Sequence, residues 1–327
     1  MTVLVTGSSG HLGEALMRTL QAQRRETIGI DIQPGAFTHQ VGSIADRAFI
    51  RRCMKNVTTV LHAATLHKPH VATHSRQDFV DVNVSGTLNL LEEAAAAGVT
   101  AFVYTSTTSV FGDALVPPPG EPAAWITEDV TAVPKNIYGV TKAAAEDLCQ
   151  LFARNHSLRA IVLRTSRFFP EEDDNRAVRE AYTDANVKAN EFLYRRVDIE
   201  DVVSSHLLAA RYAPSVGFAR YIISATTPFS RDDVADLRSN APQVVRRYVP
   251  DYEAEFARRG WTMIPGIDRV YVNDRARADL GWQPRHDFRT LVARLREDDG
   301  ILSPLAREVG SKGYHDRDFH EGPYPVE

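Results

Sequence analysis

The chain has 327 residues, of which 43% are hydrophobic and 24% charged, and its formal net charge is -4. These values are typical of one large or two medium globular domains, and they argue against a broad nucleic-acid-binding surface, which needs an excess of Lys and Arg. No apolar run approaches the roughly 18 residues of a membrane span. The first residues lack the basic start of a signal peptide, and two cysteines cannot form a disulfide framework, so we expect a reduced, cytoplasmic protein without a membrane partner.

The first two thirds of the chain alternate short apolar runs with amphipathic segments. We predict strands at 3–6, 27–31, 59–62, 102–105 and 160–164, and helices at 12–23, 46–54, 79–97 and 138–155. Alternating strands and helices favour parallel pairing through right-handed crossovers, and nearly continuous apolar strands suit a sheet covered on both faces. The sequence therefore predicts an α/β fold with a doubly wound parallel sheet.

After Arg164 the pattern becomes less regular. We predict helices at 176–194, 201–212, 230–240 and 251–260, and a strand at 221–224. The acidic run at 171–174 is expected to be a solvated loop. The segment 310–327 is rich in Gly, Pro, His and charged residues, and we interpret it as an irregular tail that wraps a surface or a neighbouring subunit.

A glycine-rich loop, TGSSGHLG at 6–13, joins the first predicted strand to the first predicted helix. In a dinucleotide-binding fold the first glycine permits the tight turn, the second lets the backbone approach a pyrophosphate, and the third allows close helix packing. The helix N-terminus adds free N–H groups and a positive dipole end. The loop residues expected to contact such a cofactor are Gly7, Gly10, His11, Leu12 and Gly13.

Asp31 ends the second predicted strand, at the distance of about 20 residues expected for a ribose-binding carboxylate. A carboxylate at this place hydrogen-bonds the adenosine ribose hydroxyls and repels a 2′-phosphate, which favours NAD over NADP. The alternative is an aspartate that only caps a helix or turn. Arg24 and Arg25 precede this strand rather than follow Asp31, so they do not reverse the preference.

Tyr138 and Lys142 lie four residues apart, and on a helix they share one face. An ammonium beside a phenol lowers the phenol pKa from about 10, which suits proton transfer with a substrate hydroxyl. Alternatively, the two residues form a surface aromatic–cation pair.

A run of hydroxyl residues at 105–109 follows the fourth strand, at the sheet edge where ligands bind. It is either a site for the reacting oxygen or a turn that caps its own backbone.

These motifs together resemble the extended short-chain dehydrogenase/reductases, the group that contains sugar-nucleotide epimerases such as UDP-glucose 4-epimerase. The resemblance covers most of the chain. It includes LHAA at 61–64, NVSGTLNLL at 83–91, YTSTTSVFG at 104–112, the segment 134–142 that carries Tyr138 and Lys142, and LGWQP at 280–284. It implies a Rossmann fold and NAD as cofactor. On this basis 1–170 would be the NAD-binding domain, to which segments near 197–226 return, and 171–327 would be a smaller substrate-binding region with the tail.

The resemblance also implies roles for individual residues. Tyr138 would be the general acid and base, Lys142 would lower its pKa and bind the nicotinamide ribose, and Thr107 would be the catalytic hydroxyl, with Ser106 as its neighbouring alternative. Asn83 would be mainly structural. The remaining cofactor contacts would come from Asp31, Ile32, Ser43 and Ile44 at the adenosine and from Ala63 and Ala64 at the pyrophosphate or nicotinamide ribose.

Departures from the family pattern concern the substrate. The 4,6-dehydratases carry an Asp–Glu pair directly after the catalytic Thr, whereas Thr108 and Ser109 stand here, which disfavours dehydration. Arg167 lies near the family's diphosphate-binding Asn, and a family arginine aligns on Tyr194. The predicted substrate-binding residues are Ser106, Thr108, Arg167, Arg195 and Arg196. They suit a nucleotide sugar bound in a shifted way or a smaller anionic sugar or sugar acid; surface ion pairing is the alternative for the last two.

Three histidines lie close together in the loop that follows the third predicted strand. His67, His70 and His74 could ligate a metal, but no carboxylate or Cys nearby completes the set and the family needs no metal. We therefore predict no metal and consider instead that this loop rims the substrate pocket.

The Ala-rich helices 79–97 and 138–155 correspond to those through which family members dimerise, so we expect a homodimer.

We therefore expect an NAD-dependent enzyme that acts on a secondary hydroxyl of a sugar or nucleotide sugar. An epimerase would return the hydride to the other face of the keto intermediate, whereas a dehydrogenase of a free sugar, sugar acid or small alcohol would release the product. A non-catalytic NAD-binding sensor is the alternative of another class, and it has no need of Tyr138, Lys142 and Thr107 together. The preference for an epimerase rests on the family resemblance.

Overall fold

The computed structural model describes residues 2–313, so most of the predicted 310–327 tail lies outside the described residues. Its strands are β1 (Thr2–Thr6), β2 (Thr27–Asp31), β3 (Gln40–Val41), β4 (Val57–His62), β5 (Ala101–Thr107), β6 (Ala124–Ile126), β7 (Ala160–Thr165), β8 (Phe218–Ile223) and β9 (Arg269–Tyr271). A parallel sheet has the order β3-β2-β1-β4-β5-β7-β8, and β6 pairs with β9 in a separate parallel ribbon. The strand order reverses between β1 and β4, so the predicted doubly wound sheet is confirmed.

Helices connect these strands and continue beyond them. They are α1 (His11–Ala22), α2 (Arg47–Cys53), α3 (Arg76–Phe79), α4 (Gly86–Ala97), α5 (Ile137–His156), α6 (Arg176–Ala181), α7 (Asp184–Glu191), α8 (Ile199–Val216), α9 (Val234–Tyr248), α10 (Tyr252–Arg259), α11 (Asp274–Leu280), α12 (Phe288–Arg296) and α13 (Pro304–Val309). Short 3-10 turns at Lys68–Ala72 and Thr108–Leu115 follow β4 and β5.

Both faces of the sheet are covered, as the apolar strands predicted. Val5 and Val103 enter a core with α1 and α8, whereas the adjacent Leu4 and Phe102 enter a core with α2, α4 and α5. Successive side chains of a strand point to opposite faces, so one strand serves both cores.

A third apolar core forms where α7, α9, α10 and α12 meet, with Leu237, Phe256 and Phe288 buried in it. Trp282 lies instead in the core on the α1–α8 face, where its indole N–H donates to the Asp201 carbonyl oxygen at 3.1 Å. The chain therefore crosses between the two regions more than once, and the predicted division near residue 170 stays a prediction. In the described part of the chain, no helix combines the length and the apolar character that crossing a membrane requires.

Several predicted helices differ from the observed ones. The segment 79–97 contains a π-turn at Val80–Ser85 before α4 begins. The segment 176–194 forms two helices, because Tyr182 is extended and the Thr183 side chain caps α7. The segment 230–240 continues to the end of α9 across a kink at Asn240. The strands β3, β6 and β9 were not predicted, since two or three residues show no recognisable alternation.

Candidate active site

A cavity of about 900 Å³ opens at the carboxyl ends of β1, β2, β4, β5 and β7, where the strand order reverses. This is the place at which doubly wound sheets bind ligands. Its lining includes nearly every residue that the sequence analysis selected: Gly7, Gly10, His11, Leu12, Gly13, Asp31, Ile32, Ser43, Ile44, Ala63, Ala64, Ser106, Thr107, Thr108, Tyr138, Lys142, Arg167 and Arg195. We call the part around residues 7–13 and 30–44 the glycine-loop end, and the part around Arg167, Arg195 and Arg269 the arginine end.

Two glycines of the loop are required by the local geometry. Gly7 has a φ of +73°, and a Cβ there would lie 2.9 Å from the Ala64 backbone nitrogen. A Cβ on Gly13 would overlap the carbonyl oxygen of Gly7. No side chain caps the first turn of α1 at its N-cap, Gly10. The loop therefore presents backbone and a helix N-terminus to the cavity, which is an arrangement suited to a phosphate group.

Asp31 is held by the loop that it faces. One carboxylate oxygen accepts a hydrogen bond from the Ser9 N–H at 3.0 Å, and the other accepts from the Gln33 N–H at 2.9 Å. The turn-capping role and a ribose-binding role are therefore compatible, because each carboxylate oxygen has a second lone pair. The neighbouring Ile32 side chain is 62% exposed and adds an apolar surface to the cavity.

Tyr138, Thr107 and Lys142 come together at the carboxyl end of β5. Tyr138 lies in the first turn of α5, and its phenol interacts with the Thr107 side chain. Thr107 also accepts a hydrogen bond from the Ser109 N–H at 3.1 Å. Lys142, only 2% exposed, donates from Nζ to the Thr105 carbonyl oxygen at 2.6 Å. The structure therefore selects Thr107, rather than Ser106, as the hydroxyl beside Tyr138.

The protonation of this group differs from the sequence-based expectation. Burial raises the pKa of Tyr138 to about 12, and the hydrogen bond from Thr107 only partly opposes this effect. Burial lowers the pKa of Lys142 to about 7. The predicted lowering of the Tyr138 pKa by Lys142 is wrong for this structure, because desolvation of the phenol dominates and the ammonium is bonded to the end of β5.

Ser106, which was predicted to bind substrate, is committed elsewhere. Its hydroxyl donates to the Glu146 carboxylate at 2.6 Å, and the same carboxylate accepts from Arg164 at 2.8 Å. Ser106, Glu146 and Arg164 are all buried. Ser106 thus helps to position α5 against β7, and the prediction of a substrate contact through its hydroxyl is corrected.

Ala63 and Ala64, at the end of β4, are positioned by polar side chains from other elements. The Thr6 hydroxyl accepts from the Ala63 and Ala64 N–H groups at 3.1 and 3.0 Å. The Asn83 side chain accepts from the Leu66 N–H at 2.8 Å and contacts the Thr141 hydroxyl at 3.1 Å. Asn83 therefore connects the loop after β4 to α5, in agreement with its predicted structural role.

The arginines predicted to bind an anion are already paired with carboxylates. Glu191 pairs with two arginines: Arg196 donates to its carboxylate at 2.7 Å, and Arg195 contacts it at 2.7 Å. Asp173 also pairs with two: Arg195 binds it, and Arg167 lies 3.6 Å away. Burial alone would raise the pKa of Glu191, yet these three guanidinium groups lower it to about 2. The carboxylate at the centre of the group is therefore ionised.

This ion-pair cluster changes two predictions. Asp173 and Asp174 are buried, so the expected solvated acidic loop is wrong for half of the run, because the two carboxylates pair with the half-buried cations Lys68 and Arg195. Arg196 is 4% exposed and does not line the cavity, so its predicted substrate contact is corrected to the alternative of ion pairing. Arg167 and Arg195 line the cavity but share their charge with the cluster.

Aromatic and imidazole rings line the space between the two ends. The His11 ring stacks on Phe168 at 5.9 Å, and its two buried ring nitrogens have no hydrogen-bond partner among the residues that the structure describes. Burial lowers the pKa of His11 to about 4. The His67 ring lies 6.2 Å from the Tyr138 ring.

The three histidines of the loop after β4 lie in the cavity lining. His67, His70 and His74 all contribute to it, so the interpretation that their loop rims the pocket is confirmed. The His70 ring accepts a hydrogen bond from the His67 N–H at 2.9 Å. Within residues 2–313, no group of three or more His, Cys, Asp or Glu side chains is placed to hold a metal ion.

Other cavity residues were missed by the sequence analysis. Lys68, Arg269, Tyr271 and Lys312 line the cavity but belong to no motif. Only Lys68, beside the histidines, lay in a segment that we had considered as a pocket rim. The strand that carries Arg269 and Tyr271 is three residues long, and its position follows from pairing with β6.

The residues present fit a dinucleotide. The glycine-loop end offers a backbone surface that a Cβ would fill, an uncapped helix N-terminus, imidazole nitrogens of His11 without a partner among the described residues, and the Asp31 carboxylate. The adjoining Tyr138, Thr107 and Lys142 can exchange a proton with an alcohol. This combination suits oxidation and reduction at a hydroxyl-bearing carbon.

Comparison of the sequence with known families agrees with this geometry. The family model described as NAD dependent epimerase/dehydratase family matches residues 3–217. Uncharacterized protein y4nG of Sinorhizobium fredii is 32% identical over half of the chain, and the matched region spans 40% of that protein. A separate match, to sterol demethylase protein B of Methylococcus capsulatus, spans 36% of that protein. A UDP-glucose 4-epimerase of Streptomyces lividans is 25% identical over 96% of this chain and 98% of its own length.

Solved structures show the same fold. A short-chain dehydrogenase/reductase superfamily protein from Agrobacterium tumefaciens, solved with bound NAD, has a TM-score of 0.65 at 23% identity and covers 94% of this chain and 99% of its own. The UDP-N-acetylglucosamine 4-epimerase from Bacillus cereus has a TM-score of 0.63 at 18% identity, with 91% and 98% covered.

Proposed function

The chain belongs to the NAD dependent epimerase/dehydratase family, and from this premise we propose that it uses NAD to oxidise a secondary hydroxyl of a sugar or nucleotide sugar. It is an enzyme of the extended short-chain dehydrogenase/reductase type. The observation that carries the proposal is that Tyr138, Thr107 and Lys142 line the same cavity as the glycine loop.

The cofactor site is assigned to the glycine-loop end. When bound, NAD supplies an acceptor for the hydride of the substrate carbon. The N-terminus of α1 would hold its pyrophosphate, Asp31 would accept hydrogen bonds from the adenosine ribose, and Ile32 would offer an apolar surface to the adenine. The other residues proposed to contact it are Gly7, Gly10, His11, Leu12, Gly13, Ser43, Ile44, Ala63, Ala64, Tyr138 and Lys142.

The chain's own residues move the proton. Thr107 holds the substrate hydroxyl oxygen by a hydrogen bond, and Tyr138 accepts its proton. Because burial raises the pKa of Tyr138, formation of the phenolate needs a positive charge nearby, and we propose that Lys142, one helical turn further along α5, would supply it by leaving the Thr105 carbonyl oxygen when NAD and substrate bind. Tyr138 returns the proton when the carbonyl group is reduced again.

Among the reactions that share this first step, we propose epimerisation. Two relatives that cover nearly the whole chain are UDP-glucose 4-epimerases, from Streptomyces lividans and Azospirillum brasilense. A dTDP-glucose 4,6-dehydratase of Streptomyces antibioticus is 27% identical, but Thr108 and Ser109 follow Thr107 in this chain, so no carboxylate is placed there to assist loss of water. Dehydrogenation of a free sugar or sugar acid is the second candidate, and the cavity's paired arginines favour it over a nucleotide substrate.

The Tyr138→Phe variant tests the mechanism. General acid–base groups contribute about 10²–10⁴-fold to rate, so we expect turnover to fall by at least about 100-fold while NAD affinity is unchanged. Tyr252→Phe, which removes a buried hydroxyl far from the cavity, is the matched control. Unchanged turnover in Tyr138→Phe would contradict the proposal, and binding of NAD without turnover of any sugar would favour a sensor.

Cofactor retention distinguishes the two reactions. The purified protein is denatured, and any released nucleotide is identified by mass and absorbance. Stoichiometric NAD is expected for an epimerase, which regenerates its cofactor in each cycle. A purified protein that releases no nucleotide and binds NAD weakly would point to a dehydrogenase.

We further propose that the chain is a cytoplasmic homodimer that pairs through the segments 79–97 and 138–155. The exposed side of α5 carries Val140, 49% exposed, and Leu151, 36% exposed, and burial of these side chains in a partner would favour association. A monomer mass in solution scattering would contradict the dimer. The two cysteines, Cys53 and Cys149, have free thiols, which suits a reducing compartment.

A further inference from the structure

The chain changes character at Gly310, the residue that follows α13. Before it, Ala306 and Val309 of α13 are buried in the core on the α1–α8 face, which fixes this helix to the rest of the protein. The next residues, 311–313, are exposed and include no apolar side chain. Gly310 has a φ of +63° and a ψ of -170°, a combination that is essentially restricted to glycine. The chain therefore turns sharply at Gly310, and polar groups attach the segment 311–313 to its surroundings.

The segment 311–313 is bound to two carboxylates. Three of its donors converge on Oε1 of Glu171: the Ser311 hydroxyl at 2.7 Å, the Lys312 N–H at 3.3 Å and the Gly313 N–H at 3.4 Å. The Lys312 ammonium contacts the Glu14 carboxylate at 2.5 Å. Glu14 lies in the first turn of α1, and Glu171 lies in the loop after β7. Lys312 therefore connects these two elements.

These contacts place the segment at the glycine-loop end of the cavity. Lys312, Gly313 and Glu171 line the cavity together with His11, the second residue after Gly10 in chain order being Leu12 of the same loop. Burial lowers the pKa of His11, and the nearby Glu171 carboxylate opposes this effect. A bound dinucleotide would extend from the adenosine site to the catalytic group, with its pyrophosphate at the N-terminus of α1. The segment 311–313 therefore lies beside the middle of the proposed cofactor site.

The attachment of this segment is weak in comparison with that of α13. Exposed hydrogen bonds and ion pairs contribute little to stability, because water competes for the same groups and salt screens the charges. Segments with few buried apolar contacts open locally at a low free energy. The segment can therefore detach from Glu14 and Glu171 while α13 stays in place.

From this geometry we propose that the segment 311–313 is a latch on the cofactor site. It closes beside the pyrophosphate of NAD, held by Glu171 and Glu14, and it must detach from both carboxylates before the cofactor can leave. This inference rests on the proposed function for the position of NAD. A latch of this kind suits an enzyme that regenerates its cofactor in each cycle, because slow release keeps NAD on the protein between turnovers.

The rate at which the NADH-loaded protein releases NADH tests the proposal. The complex is mixed with excess NAD, and the loss of NADH fluorescence gives the release rate. The double variant Ser311→Ala/Lys312→Gln loses the ion pair with Glu14 and the shortest hydrogen bond to Glu171, so we expect release to become about 3–30-fold faster. Gly310→Ala should also speed release, because its added Cβ meets no atom within 4 Å but alanine disfavours the backbone turn that directs the segment.

Gly260→Ala is the matched control. Gly260 also has a positive φ, of +64°, and its added Cβ meets no atom within 4 Å, but it ends α10 outside the cavity. We expect Gly310→Ala and Gly260→Ala to lower the melting temperature by a similar amount, at most about 4 °C, and only Gly310→Ala to speed NADH release.

Two results would overturn the latch. One is a release rate like that of wild type in both the double variant and Gly310→Ala. The other is an equal rise in Gly260→Ala, which would show that the rate follows general stability. Failure of the proposed function is recognised separately, since wild type would then bind no NADH or Tyr138→Phe would keep its turnover.

Discussion

At the glycine-loop end of the cavity the surface is mostly backbone, whereas at the arginine end it is made of charged side chains. The loop at 7–13 is continuous in sequence, and its shape follows from glycines that exclude a Cβ. The arginine end combines residues near 67, 167–174 and 191–196, which are distant in sequence and held by ion pairs, with Arg269, which has no ion pair among the described residues.

The difference separates a surface that depends on no particular side chain from one that depends on every charged partner. A backbone surface binds a phosphate group whatever the neighbouring side chains are, so it serves a constant cofactor. A surface of paired charges depends on every partner, and replacing one of them changes both the local stability and the charge offered to a substrate. We therefore expect substitutions in the ion-pair cluster around Glu191 to lower the free energy of unfolding, and substitutions at the glycine-loop end mainly to weaken cofactor binding.

The largest effect is expected for Glu191→Gln. The change leaves three guanidinium groups without their central carboxylate, and breaking a buried ion pair costs about 3–5 kcal/mol in the free energy of unfolding. Glu180→Gln, which removes the carboxylate of the exposed Arg176 pair, is the control and should cost less than about 0.5 kcal/mol. Denaturant unfolding of both variants measures the difference, and equal small losses would show that the cluster is not a unit.

The same carboxylate predicts a pH dependence. The pKa of Glu191 is lowered from its ordinary value of 4.5 to about 2 in the folded protein, so its contribution to stability is fully present above pH 4.5 and is lost as the pH falls toward 2. The stability difference between wild type and Glu191→Gln should therefore shrink over this interval in unfolding experiments. A difference that stays constant from pH 6 to about pH 3 would contradict the lowered pKa.

A smaller loss of stability, with a specific loss of cofactor, is expected for Gly13→Ala. The added Cβ overlaps the carbonyl oxygen of Gly7, and overpacking of this kind costs about 1–3 kcal/mol. Because the loop must shift, NAD affinity in calorimetry should fall by at least about tenfold. Gly98→Ala adds strain at a φ of +72° but meets no atom within 4 Å, so it should cost about 1 kcal/mol without any change in NAD affinity.

The smallest effect on stability is expected for Asp31→Asn. Loss of charge-assisted hydrogen bonds to the ribose should weaken NAD binding by about 10–100-fold and reduce the preference over NADP. Asp46→Asn, which changes an aspartate that caps α2 outside the cavity, is the matched control. If both variants bind NAD as wild type does, Asp31 only caps the loop.

Local sequence patterns predicted the sheet and the glycine-loop end well. The order of strands and helices predicted the doubly wound sheet, and the loop glycines, Asp31, Thr107, Tyr138 and Lys142 all line one cavity. The predictions that failed concern interactions between distant residues. The acidic run is partly buried, Arg196 and Ser106 are bound to Glu191 and Glu146, and the Tyr138 pKa is raised.

By itself, the sequence determined the elements whose geometry depends on neighbouring residues: alternation in a strand, periodicity in a helix, and glycines where a Cβ cannot fit. Only the tertiary structure decided which charges are compensated, because ion pairing and desolvation depend on side chains brought together from distant positions. Arg167, Arg195 and Arg196 look like free anion-binding residues in the sequence and are neutralised by Glu191, Asp173 and Asp174 in the fold. Arg269 belongs to no motif, and the pairing of β9 with β6 places it, uncompensated by the described residues, in the cavity.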